Sequence, residues 1–81
     1  MSESNHLGGI GAALEWMQKS GRVRRKGWNG KGMWLYLVAP ASSVNDQFER
    51  LNYIEMKTAD DKLVPWLASQ TDILATDWER V

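Results

Sequence analysis

The chain has 81 residues, ten cationic and ten acidic side chains, one histidine and no cysteine. That makes one small domain with a thin core, which no disulfide can brace and in which no thiolate can hold a metal. No apolar run reaches membrane-spanning length and no basic-then-apolar leader is evident, so the expectation is a cytosolic protein.

The neutral total hides an uneven distribution. Residues 1–40 carry six cations against Glu3 and Glu15, whereas residues 41–81 carry four against eight carboxylates. A basic patch on a neutral chain suits a small anionic ligand better than long nucleic acid, where affinity follows the number of phosphates neutralised. The same asymmetry favours packing one half, or one subunit, against the other.

Residues 1–6 are a polar tail of the kind that frays, and residues 7–81 form the domain. Leu7, Ile10, Leu14 and Met17 recur at helical spacing and predict a helix buried along that stripe, with Trp16 off it. Ser20-Gly21 ends the helix, Gly21 being expected in the left-handed position after the cap. Arg22-Val23-Arg24 alternates as a short strand with Val23 inward. Residues 27–32 form a turn around the hairpin dipeptide Asn29-Gly30. Met33 to Val38 reads as a central strand buried on both faces, which puts Trp34 in the core.

Pro40 ends that strand. Residues 39–52 are a loop with one helical turn expected from Asn45 to Leu51. Tyr53 to Lys57 alternates, with Tyr53, Glu55 and Lys57 on one face and Ile54 and Met56 on the other. Ala59 to Lys62 is a tight turn. Leu63 to Trp66 is a strand, which Pro65 assigns to an edge or a bulge. Ala68 to Asp77 is a polar corner with one helical turn, for which Ser69, Thr71 and Asp72 are candidate caps. Trp78 to Val81 is a last short strand. The fold class is α+β: an N-terminal helix packed on a four- or five-stranded, mainly antiparallel sheet, with a short helical turn before the last strand.

Chemistry concentrates between Arg22 and Trp34, which hold five of the ten cations, three of the seven glycines and two of the five tryptophans. Cations, open backbone and flat aromatic faces together suit a nucleotide: phosphates, close approach and bases. The plain alternative is a hairpin with a basic surface and core tryptophans. A second segment, Val64 to Asp72, joins Trp66 to small polar residues that can hydrogen-bond sugar or phosphate. Its plain alternative is a core tryptophan beside a capped turn.

Other chemistries find little support. The phosphate-loop pattern fails, because Arg25 stands five residues before Gly30 and Gly32 follows Lys31. The dinucleotide fingerprint fails at Leu14, after Gly9-Ile10-Gly11. His6 stands alone, so neither a metal nor a cofactor is expected. Ser69, Thr71 and Asp72 have no histidine base nearby, and Asp60-Asp61 sit in a turn where solvation explains them. No catalysis is expected.

Taken together, Gly27 to Met33, Met56 to Asp60, and Val64 to Asp72 with Asp77-Trp78 resemble the second type of Thoeris anti-defence protein, a family of short phage and bacterial proteins. Ala13-Leu14 and the Gly21-x-Val23-x-Arg25 lead-in fit as well, so the likeness spans residues 7–81. The resemblance implies a helix on an antiparallel sheet, assembled as a homotetramer. It also implies a protein that sequesters nucleotide immune signals without transforming them. Those signals are glycocyclic ADP-ribose molecules made by a TIR-domain enzyme and, for some members, cyclic oligonucleotides from cGAS-like enzymes.

By that likeness Trp28, Asn29, Lys31, Trp66 and the corner Ala68, Ser69, Gln70, Thr71 and Asp72 line pockets between subunits, and Met33 belongs to the same ligand-binding set. Trp28 and Trp66 then stack on bases, Arg25 and Lys31 hold phosphates, and the polar corner hydrogen-bonds ribose, phosphate or base edge. Two departures stand out: the 39–52 loop is short for the family, and Asp61 occupies a hairpin position where glycine is usual. A single-strand nucleic-acid binder using the same residues, or an interaction protein whose tryptophans are interface core, are the rival readings.

Overall fold

The computed structural model describes residues 7–28, 31–40 and 48–81. Helix α1 spans Ile10–Gln18, β1 Val23–Arg25, β2 Trp34–Val38, β3 Tyr53–Lys57, β4 Leu63–Pro65, α2 Gln70–Ile73 and β5 Trp78–Arg80, with a 3-10 turn at Lys26–Trp28. The class is α+β, as the sequence predicts. The five strands form one antiparallel sheet in the order β4-β3-β2-β1-β5. Strands β1 to β4 follow one another as a meander. Strand β5 then returns across α2 to pair with β1 at the far edge.

Register sorts the side chains between two faces. Leu35 pairs with Met56 and with Val23, and Leu37 pairs with Ile54, so these apolar side chains share the face beneath α1. Arg25 pairs with Trp78, which brings both to that same face. Among the described residues the fully buried apolar set is Ala13, Met17, Val23, Leu35 and Trp78. Ala13 at the contact lets helix and sheet approach closely, and Ile10 and Trp16 flank it.

The helical stripe therefore differs from the expected one. Ala13 takes the place assigned to Leu14, which is 39% exposed. Trp16 packs at the core margin, with the Arg80 guanidinium 5.6 Å from its ring centroid. The helix stop also differs in detail. Ser20, not Gly21, takes the left-handed conformation, at φ 69°. Its N–H donates to the Met17 carbonyl and that of Gly21 to the Trp16 carbonyl, both at 3.0 Å, which is the Schellman arrangement. Gly21 is required for proximity: a Cβ there would lie 2.9 Å from the Trp16 carbonyl oxygen.

Strand β2 is central, but it is not buried on both faces. Leu35 is buried beneath α1, while Trp34 and Tyr36 on the opposite face are half-buried. There Arg22 lies 4.8 Å over Trp34, Tyr36 donates to Glu55, and Arg24 pairs with Glu79 at 3.0 Å. Trp34 is thus a sheet-surface residue, and Trp78 is the tryptophan of the core.

Pro65 lies in edge strand β4, where its missing N–H costs no ladder bond. Strand β4 ends there, not at Trp66. The helical turn expected from Asn45 to Leu51 is not formed at residues 48–51, and its first residues lie outside those described. The hairpin dipeptide Asn29-Gly30 also lies outside them. No helix among the described residues is long and apolar enough to cross a membrane.

Candidate functional site

Trp78 is the hub of the site. Its ring is fully buried, and its indole N–H donates to the Asp72 carbonyl at 3.0 Å. Trp28, at the end of the 3-10 turn, meets it edge-to-face with centroids 5.5 Å apart and planes at 78°. Trp66, just after β4, meets it in the same manner at 5.9 Å and 85°. Both outer rings are half-buried, so each keeps a surface toward solvent while anchored on the core.

Electrostatics fasten the same corner. Arg25 donates from Nη1 to Asp72 Oδ1 at 2.9 Å and from Nε to Asp77 Oδ1 at 2.8 Å. The other Asp77 oxygen accepts the Gly27 N–H at 2.8 Å. The hydrogen bond from Arg25 holds the Asp77 carboxyl below the usual carboxylate range, and the Gly27 N–H acts in the same direction. Asp77 and then Asp72 in turn push the Arg25 pKa up. The cations of the first half thus pair with carboxylates of the second, as the charge asymmetry suggested.

Around Trp78 the structure gathers Arg25, Trp28, Trp66 and Asp72 of the sequence-predicted site. Ser69 is the cap of α2: its hydroxyl accepts from the Asp72 N–H at 3.1 Å. Ala68, Gln70 and Thr71 are exposed on the same corner. Lys31 is exposed, with its N–H 3.4 Å from the Trp28 carbonyl, and Met33 is half-buried beside β2. Asn29 lies outside the described residues. Arg25 is positioned less as a free phosphate ligand than as a tie between elements, since two carboxylates offset its charge. Lys31 and Lys26, both exposed, are better placed to meet an anion.

Asp77, Trp78 and Lys57 fall within the pattern that carries the resemblance but are not among the sequence-predicted site residues. The signal for the first two is the Asp-Trp dipeptide at the last strand; its register against β1 places it in the corner beside Arg25, and spacing alone does not reveal register. A cavity of about 480 Å³ lies apart from the corner, lined by Met17, Gln18, Arg22, Trp34 and Tyr36 among others. None of its described lining residues belongs to the sequence-predicted set.

Fold and site define a small α+β protein with a tryptophan corner fixed by an arginine between two aspartates. The chain belongs to the Thoeris anti-defense 2-like domain family, whose profile matches residues 8–81. It is similar to the protein named Thoeris anti-defense 2 from Bacillus phage SP01, at 43% identity over 82 aligned positions covering 89% of this chain and 92% of that protein. Membership supports an anti-defence role.

Proposed function

We propose that this chain binds and sequesters cyclic nucleotide immune signals of the glycocyclic ADP-ribose type, without transforming them, and so blocks Thoeris defence. The observation that carries the reading is the pair Trp28 and Trp66, both edge-on to Trp78 and half-exposed on a corner that also presents Lys31 and the Ser69–Asp72 turn. Stacking on such rings contributes about 1–3 kcal/mol per base. Tight binding of a ground state does not accelerate its reaction, so this chemistry suits capture and slow release.

Assembly is part of the proposal. Leu67 is 92% exposed and Leu74 75% exposed near the corner, and Leu63 and Val64 are exposed on edge strand β4. Apolar surface of this kind is what a homotetramer covers. Pockets completed by a neighbouring subunit would then enclose a ligand that one protomer's corner leaves open.

The test is titration of glycocyclic ADP-ribose into the wild type, Trp28→Ala, Trp66→Ala and Arg22→Ala, followed by heating and chromatography of the released ligand. The reading expects intact ligand from the wild type, with binding lost in the first two variants and kept in the third. Loss in Arg22→Ala alone moves the site to the separate cavity. A cleaved product makes the protein an enzyme. Affinity for single-stranded oligonucleotides that climbs with their length favours nucleic-acid binding instead.

A further inference from the structure

The segment joining β1 to β2 is held at each end by a side chain from elsewhere in the sheet. At its start, Asp77 accepts the Gly27 N–H at 2.8 Å while its other oxygen is fixed by Arg25. At its end, Lys57 Nζ donates to the Gly32 carbonyl at 2.8 Å. Gly32 has φ 77°, which glycine adopts without a Cβ penalty. Lys57 is fixed in turn: Asp61 Oδ1 stands 2.6 Å from its Nζ, from a residue at φ 64°. The lysine side chain is 20% exposed, so it is directed at the backbone and not spread into solvent.

We propose that Asp77 and Lys57 are positioning residues: a two-point clamp on Gly27 and Gly32 that presets their neighbours Trp28 and Lys31 for the anionic nucleotide. Asp61 supports the lysine from the turn that follows β3. The inference rests on the nucleotide reading of the corner; neither residue needs to touch the ligand. Its physical content is preorganisation. Residues already held in place lose less conformational freedom when the ligand arrives.

The simpler role for each residue is structural, Asp77 as counter-ion to Arg25 and Lys57 as a sheet-surface charge. Backbone order parameters of the ligand-free protein separate the two, together with titration of glycocyclic ADP-ribose. Lys57→Met carries the test, because Asp77→Asn also weakens the Arg25 tie. In Lys57→Met the melting temperature is expected to stay near that of the wild type. Order should fall at Lys31, Gly32 and Met33 but not at Val23 or Leu35. The Kd should rise about tenfold, the cost of ordering roughly one further residue on binding. Lys57→Arg, which retains a donor, should restore both. Unchanged order at residues 31–33 in Lys57→Met overturns the clamp whether or not the wild type binds nucleotide. Lowered order with an unchanged Kd overturns the positioning role. A wild type that shows the clamp and binds no nucleotide overturns the functional reading instead.

Discussion

The indole N–H of Trp78 donates to the main-chain carbonyl of Asp72 at 3.0 Å, so a fully buried ring is fastened to the short helix of the polar corner. Scaffold and site share one side chain. Trp78→Ala removes a large buried ring, which costs about 3–5 kcal/mol, and frees a carbonyl. A small domain's total stability is roughly 5 kcal/mol or a little more, so this variant should be largely unfolded by circular dichroism. Trp34→Ala, on the half-buried sheet face, should fold and melt cooperatively. The reverse outcome would show that the two rings have been assigned the wrong way round.

Arg25 and Lys31 should separate on mutation. Arg25→Lys cannot reproduce a fork spanning Asp72 and Asp77, and hydrogen bonds between charged groups contribute about 1.5–3 kcal/mol each. It should lower the midpoint of urea denaturation markedly. Lys31→Ala should leave that midpoint in place and weaken nucleotide binding, with a shallower dependence of affinity on salt. Equal loss of stability in both would show that Lys31 is also structural.

Acid should expose the Asp77 contribution. Arg25 and the Gly27 N–H hold its carboxyl below the usual range in the folded state, so the folded protein binds fewer protons there than the unfolded chain. The stability this provides is fully present above the unfolded carboxyl value of about 3.9 and is lost as pH falls through the folded value. Denaturation of wild type and Asp77→Asn should therefore show a steady gap from about pH 5 to pH 7 that closes below about pH 4. A gap that persists undiminished at lower pH would mean that the carboxylate charge is not the cause.

The end of α1 offers a paired test. Ser20 sits at φ 69°, a conformation costing a non-glycine residue of order 1 kcal/mol. Ser20→Gly should therefore hold or raise the melting temperature. Gly21→Ala forces a Cβ to within 2.9 Å of the Trp16 carbonyl oxygen and should lower it. Matching effects in the two variants would contradict the Schellman geometry.

Much of the fold is legible from patterning, because alternation in Tyr53–Lys57 reports directly which face is buried. The failures have local causes. Ala13 is small, so a hydrophobic stripe overlooks it in favour of Leu14, although a small side chain is what lets a helix sit close on a sheet. The dipeptide Ser20-Gly21 suggests glycine for the left-handed position, yet close approach to Trp16 requires glycine one residue later. Trp34 lies in an apolar run and reads as core; one face of β2, however, is held by Arg22 and Tyr36 and not by a packed layer. For the candidate site, residue types mark Trp28, Trp66 and the Ser69 cap, whereas Asp77 and Lys57 make their contacts across 50 and 25 residues. No local window contains such pairings.

The backbone of Gly8 exchanges two hydrogen bonds with that of Trp78, each 2.9 Å long. Both segments thus meet at one sheet edge, and the contact encloses nearly the whole chain in a single loop. Local contacts reward early ordering, but pairings this distant reward nothing until the intervening chain is in place. During translation the nascent polypeptide therefore has no closed core until Trp78 has emerged from the ribosome. The core, with Trp28 and Trp66 seated edge-on against that last ring, would therefore close in one step and not strand by strand.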